Sequence, residues 1–170
     1  MTLAEFNALP PATAQEKLMD CCGSGRWAAT MCAQRPFAEA NALFEAADQH
    51  WRNLERADWL EAFSHHPQIG EKAAAGSESH RRWAASEQSG ARDTAEDVKL
   101  RMAEGNRAYL DKFGYIYIVC ATGKSAEEML ALLEDRLHND PVWELQISAE
   151  QQRQITRLRL QKLLAGEQTL

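Results

Sequence analysis

At 170 residues, 45% hydrophobic and 26% charged, the chain has the size and composition of one soluble globular domain, long enough to bury a core without staples. A net charge of −6 and a pI near 5.4 argue against a nucleic-acid partner, which needs a basic face. No apolar run approaches the roughly 20 residues of a membrane span, so no membrane partner is expected.

The opening residues Met1 to Phe6 lack the basic start and apolar centre of a signal peptide, and Gln168-Thr169-Leu170 is not a peroxisomal address. Cys21, Cys22, Cys32 and Cys120 show no Cys-x-x-Cys spacing, and adjacent Cys21 and Cys22 would make a strained disulfide. Reduced thiols in a cytoplasmic protein are the expectation.

Helix signals punctuate nearly the whole chain. Thr2-x-x-Glu5 and Thr13-x-x-Glu16 read as capping boxes, and Gly23 stops the second helix. A third helix is predicted over 26–34, ended by Arg35-Pro36. A fourth over 38–54 carries an apolar stripe at Leu43, Phe44, Ala47, Trp51 and Leu54. Asp58 caps the next, whose run Trp59, Leu60, Ala62, Phe63 leads into Ser64-His65-His66-Pro67-Gln68-Ile69-Gly70-Glu71. Pro67 cannot continue a helix and biases His66 away from helical backbone, so the helix ends near His65 or His66.

Residues 71–78 read as a loop or weak helix, and 80–89 as a helix stopped by Gly90. Thr94-x-x-Asp97 opens a long helix to Lys112, closed by Gly114. Tyr115 to Cys120 is the one strand-like run, β-branched and aromatic, and without a partner strand it is expected to thread the core as extended chain or to enter a helix. Ser125-x-x-Glu128 caps a helix to His138. Asp140-Pro141 starts a short helix through Leu145, and Ser148-x-x-Gln151 opens the last, with Ile155, Leu158, Leu160, Leu163 and Leu164 apolar. There is no repeat, low-complexity tract or linker, so a single all-α domain over residues 1–170 is expected.

Four features bear on chemistry. His66 is presented from a helix terminus and is the side chain type best suited to proton movement near neutral pH, whereas His65 fits a surface or capping role. Glu87 and Gln88 offer adjacent acceptors and donors that suit a flat ring bearing N–H and C=O groups, although a solvated helix end would carry the same residues. The run from Tyr115 to Ala121 is core-like, yet extended backbone can also hydrogen-bond a heterocycle. Arg159 has apolar neighbours that would hold its guanidinium beside the core, with Arg153 and Arg157 available by spacing alone.

Gly123-Lys124-Ser125 looks like the end of a phosphate-binding loop, but Ile118 stands where the first glycine belongs. The five histidines include no His-Glu-x-x-His, and no Gly-x-Ser-x-Gly elbow exists, so neither a metal nor a serine nucleophile is expected.

Taken in order, Arg35-Pro36-Phe37, His66-Pro67-Gln68-Ile69-Gly70, Glu87-Gln88-Ser89-Gly90-Ala91, Phe113-Gly114 with its apolar run, and Ile155-x-x-Leu158-Arg159-Leu160 resemble the OHCU decarboxylases. These act on 2-oxo-4-hydroxy-4-carboxy-5-ureidoimidazoline (OHCU) in urate breakdown. The resemblance implies an all-α fold, a homodimer, no cofactor, and decarboxylation of OHCU to (S)-allantoin.

It further implies His66 as catalytic residue and Pro67 beside it. Ala84, Ala85, Ser86, Glu87 and Gln88 would hold the substrate, with backbone of Tyr117, Ile118, Val119, Cys120 and Ala121 against the ring and Arg159 facing an anionic or carbonyl group. Ala84 stands where members often carry serine, and Ile116 where many carry proline. A helical module that binds a ureide without converting it is the alternative.

Overall fold

The computed structural model describes residues 1–69 and 96–165. Eight helices and no strand occur among them: α1 (Leu3–Ala8), α2 (Pro11–Cys22), α3 (Gly25–Ala33), α4 (Ala40–Arg52), α5 (Arg56–Ser64), α6 (Glu96–Phe113), α7 (Ala126–Arg136) and α8 (Pro141–Ala165). The readings for 70–95, including the helix at 80–89 and its Gly90 stop, lie outside the described residues. The chain divides into two compact units, one of residues 1–62 and 153–170, the other of residues 63–152.

In the first unit α2 packs on α3 and α3 on α4. The Thr2 box forms as expected, with reciprocal bonds between Thr2 and Glu5. Thr13 does not cap. Pro11 occupies the first helical position of α2, where its missing N–H is no loss, so Thr13 falls inside the helix. Gly23 ends α2 with φ 83°, a left-handed conformation that glycine adopts without penalty.

The Arg35-Pro36-Phe37 stretch is a clasp for α1. The Arg35 guanidinium donates to the carbonyls of Phe6 at 2.8 Å and Leu9 at 2.9 Å, satisfying the C-terminal end of that short helix. The Asn7 carboxamide meets both backbone groups of Phe37. Asp58 acts from within α5, where its carboxylate accepts the Glu55 N–H at 3.1 Å.

In the second unit α6 packs on α7. A Cβ on Gly105 would lie 2.7 Å from Cδ2 of buried Leu133, so this glycine sets how closely the two helices approach. Gly114 closes α6 with φ 80°. Residues 116–121 form neither helix nor strand and are buried except for half-buried Ile116, so the run threads the core without entering a helix. Ser125 and Glu128 form the capping box that starts α7.

The main departure from expectation is α8. The predicted short helix and the helix after it are one helix of 25 residues. Ser148 does not cap anything, because its hydroxyl is buried among Tyr109, Arg136 and Glu144. Glu144, Ser148, Gln152 and Thr156 repeat every fourth residue and are all buried, as is Arg159, so the inner face of α8 is a polar row. An apolar period cannot reveal such a face.

Gly105→Val should place two methyl groups against Leu133 and destabilise the fold by roughly 1–3 kcal/mol, read as a lower urea midpoint with unchanged slope.

Candidate functional site

His66 lies just beyond the end of α5, its backbone N–H bonded to the Phe63 carbonyl at 3.1 Å. Pro67 makes this break, as its ring geometry requires. Both His66 and Pro67 are half-buried. Farther along, the Ile69 carbonyl accepts from the Asn106 carboxamide of α6 at 3.2 Å, which pins the other end of the element. The imidazole Nε2 meets Oε1 of Gln152 at 2.7 Å. Gln152 is wholly buried on α8.

The neighbouring Gln151 takes up a second segment. Its Oε1 accepts the Cys120 N–H at 2.9 Å. His66 and the Cys120 backbone are therefore bonded to successive residues of one helix. Gln151 and Gln152 escaped the sequence reading because Gln151 passed for half of a capping box. The signal that finds Gln152 is its place in the row of polar residues every fourth position along α8.

The backbone of residues 117–121 is partly committed. Arg136 Nη1 donates to the Ile118 carbonyl at 2.8 Å, and Lys124 Nζ to the Cys120 carbonyl at 2.9 Å. The Lys124 N–H returns to the Ala121 carbonyl at 3.0 Å, in the turn around Gly123 (φ 78°). Among the described residues, no hydrogen bond engages the N–H and C=O of Val119 or the N–H of Ala121, although both residues are buried. Buried backbone groups are almost always paired, so these are the natural contacts for a ligand or water.

Behind this segment stands a buried ionic cluster. Arg136 and Glu144 pair at 2.6 Å, and Glu144 also accepts from Tyr109 and from Asn139 at 2.8 Å. Arg136 lies over the Tyr117 ring, 4.8 Å from its centre. Burial works against the guanidinium charge, but the hydrogen bond and field of Glu144 outweigh it and hold Arg136 above the ordinary arginine value.

Arg159 belongs to the other unit, 1% exposed, with Nη1 3.4 Å from the Asp20 carbonyl. Of the three arginines offered by spacing it alone is buried; Arg153 and Arg157 are half-buried and both pair with Asp48. Burial pushes the neighbouring Cys22 thiol up to about 12. Ala84, Ala85, Ser86, Glu87 and Gln88 lie outside the described residues. Among the described residues no three His, Cys, Asp or Glu side chains converge to hold a metal, and no helix is long and apolar enough to cross a membrane.

Among the described residues the fold is all-helical, with a half-buried histidine paired to a buried amide. The OHCU decarboxylase family model matches residues 7–161, and the chain belongs to that family. It is 42% identical over 149 residues to the uric acid degradation bifunctional protein TTL of Arabidopsis thaliana, covering 86% of this chain and 46% of that protein. It is 38% identical over 64 residues to the 2-oxo-4-hydroxy-4-carboxy-5-ureidoimidazoline decarboxylase of Amia calva, covering 38% of this chain and 37% of that one. The chain thus spans less than half the length of these curated relatives.

Among solved structures, OHCU decarboxylase crystallised in the presence of (S)-allantoin superposes with a TM-score of 0.77 at 37% identity, covering 89% of this chain and 99% of that chain. (S)-Allantoin synthase shares the fold at 18% identity, with a TM-score of 0.72, covering 95% of this chain and 53% of the other.

All three tyrosines of the chain, Tyr109, Tyr115 and Tyr117, are held above the ordinary phenol value by burial, Tyr117 to about 12. A raised folded value means that the stability is intact below the unfolded value of about 10 and is lost as pH rises through the folded value. Absorbance near 295 nm should therefore show less tyrosinate in the folded protein than in the urea-unfolded chain at pH 10. Unfolding by urea should become easier between pH 10 and about 12.

Proposed function

We propose that this chain is a cofactor-free decarboxylase that converts OHCU to (S)-allantoin and carbon dioxide, with His66 as its catalytic residue. Residues 1–170 act as a single OHCU decarboxylase-type domain, working as a homodimer in the cytoplasm. The observation that most supports His66 is the pairing of its imidazole and the Cys120 backbone with successive glutamines of α8. A proton-transfer group and a stretch of backbone with uncommitted polar groups are thereby tied to one rigid element.

The chemistry suits such a site. The departing carboxylate leaves from a carbon beside an unsaturated ring position. The C–C bond electrons are taken up across the adjacent ring C=N, whose nitrogen takes a proton to leave an enol. A proton then adds to the neighbouring ureido-bearing carbon from one face, while the hydroxyl on the carbon that lost the carboxylate gives up its proton and becomes the ring carbonyl. The protein's part is to aim donors at the developing charge and to deliver the proton from a fixed side. The Val119 and Ala121 backbone groups supply hydrogen bonds to the ring. His66 orients the hydroxyl or carboxylate and then gives the proton directly or through a water that it holds. Glu87 and Gln88 bind the ureide, and Arg159 faces an anionic or carbonyl group.

His66→Ala should lower turnover by roughly 10²–10⁴-fold with the helical circular dichroism unchanged. Freshly prepared OHCU, followed by its absorbance decay and the optical activity of the product, is the assay. Near wild-type production of (S)-allantoin by the variant would refute the role of His66. Racemic product at the uncatalysed rate from the wild-type chain would favour a binding module instead.

A further inference from the structure

The bond between His66 and Gln152 contains more than an anchor. Its acceptor on the glutamine is the carboxamide oxygen, so the imidazole Nε2 must carry the hydrogen. A neutral imidazole has one N–H and one lone pair. With Nε2–H held, the lone pair falls on Nδ1.

The carboxamide at this nitrogen is neutral. A carboxylate in this place would favour the imidazolium, whereas a carboxamide leaves the ring able to cycle between neutral and charged forms. Gln152 is 0% exposed on a rigid helix, and the segment bearing His66 is fixed at Phe63 and Ile69. The ring therefore has little freedom to exchange its two nitrogens. A buried carboxamide on a helix face is costly unless hydrogen-bonded, and an apolar side chain would pack there more simply.

We propose that Gln152 is a positioning residue that fixes the tautomer of His66, making Nδ1 the nitrogen that exchanges a proton in the reaction. This rests on the reading of His66 as catalytic residue. Gln152 touches no reacting atom itself; it acts through the ring it holds.

The first test needs only the wild-type protein. Long-range proton–nitrogen spectra of histidine-labelled protein, about two pH units above the ordinary histidine value, should show His66 with a protonated Nε2 and a bare Nδ1. The opposite tautomer would overturn the proposal.

The second test is Gln152→Met, which keeps the shape and removes the acceptor. The spectrum should become a mixture of tautomers. The kcat for OHCU should fall roughly ten- to a hundredfold while KM stays within about twofold, since binding groups are untouched. A Gln152→Met enzyme with wild-type kcat, or with kcat lost and the tautomer unchanged, would overturn it.

Should Gln152→Met fail to fold, Gln152→Glu retains the oxygen acceptor in the same volume. It should show both ring nitrogens protonated at the pH where the wild-type ring is neutral, and a bare Nε2 there would count against the idea. His66→Ala separates the two levels. If it is inactive and Gln152→Met is not impaired, only the positioning role fails. If it keeps wild-type turnover, the catalytic reading of His66 fails, whatever the tautomer.

Discussion

A guanidinium and a carboxylate buried together, Arg136 with Glu144, set the terms for the unit formed by residues 63–152. Two charges taken out of water cost several kcal/mol each, and they persist only where further hydrogen bonds complete them. Here Tyr109, Ser148 and Asn139 satisfy what the pair leaves over. One guanidinium nitrogen is directed instead at the Ile118 carbonyl. The ionic cluster thus holds an irregular segment that pairs with no strand among the described residues.

That arrangement explains how a helical protein can offer backbone as a binding surface. Helices consume their own N–H and C=O groups, and sheets consume those of their neighbours. The stretch from Tyr117 to Ala121 does neither. It is secured at selected points by Arg136, Gln151 and Lys124, which leaves the N–H and C=O of Val119 and the N–H of Ala121 uncommitted among the described residues. The proposed substrate ring, rich in N–H and C=O, matches groups of that kind.

The same helix carries both kinds of support. Along α8, Glu144 and Ser148 belong to the ionic cluster, and Gln151 and Gln152 bond the Cys120 backbone and His66. Successive turns of a helix repeat with a rise of about 5.4 Å, so polar residues four apart form a ladder of fixed spacing. A loop could present the same side chains but not hold them to such tolerances. The length of α8 is therefore a property of the site as well as of the fold.

Much of this was legible in the sequence, because it depends on local rules. Capping boxes at Thr2 and Ser125, glycines at 23 and 114, and the break at Pro67 follow from backbone sterics and orphan helix-end groups. The unpartnered β-branched run is buried and enters no helix, one of the two paths its composition allowed. The ordered motifs also identified the family. What the sequence could not disclose is whatever depends on partners distant along the chain. Ser148 and Gln151 have the spacing of a helix start, and only the burial of Tyr109, Arg136 and Glu144 around Ser148 makes them the middle of a helix. Arg159 among three similar arginines, and Gln152 as the partner of His66, were likewise decided by tertiary packing. Polar residues inside a core have no periodic signature of their own; their meaning lies in the hydrogen bond each one makes.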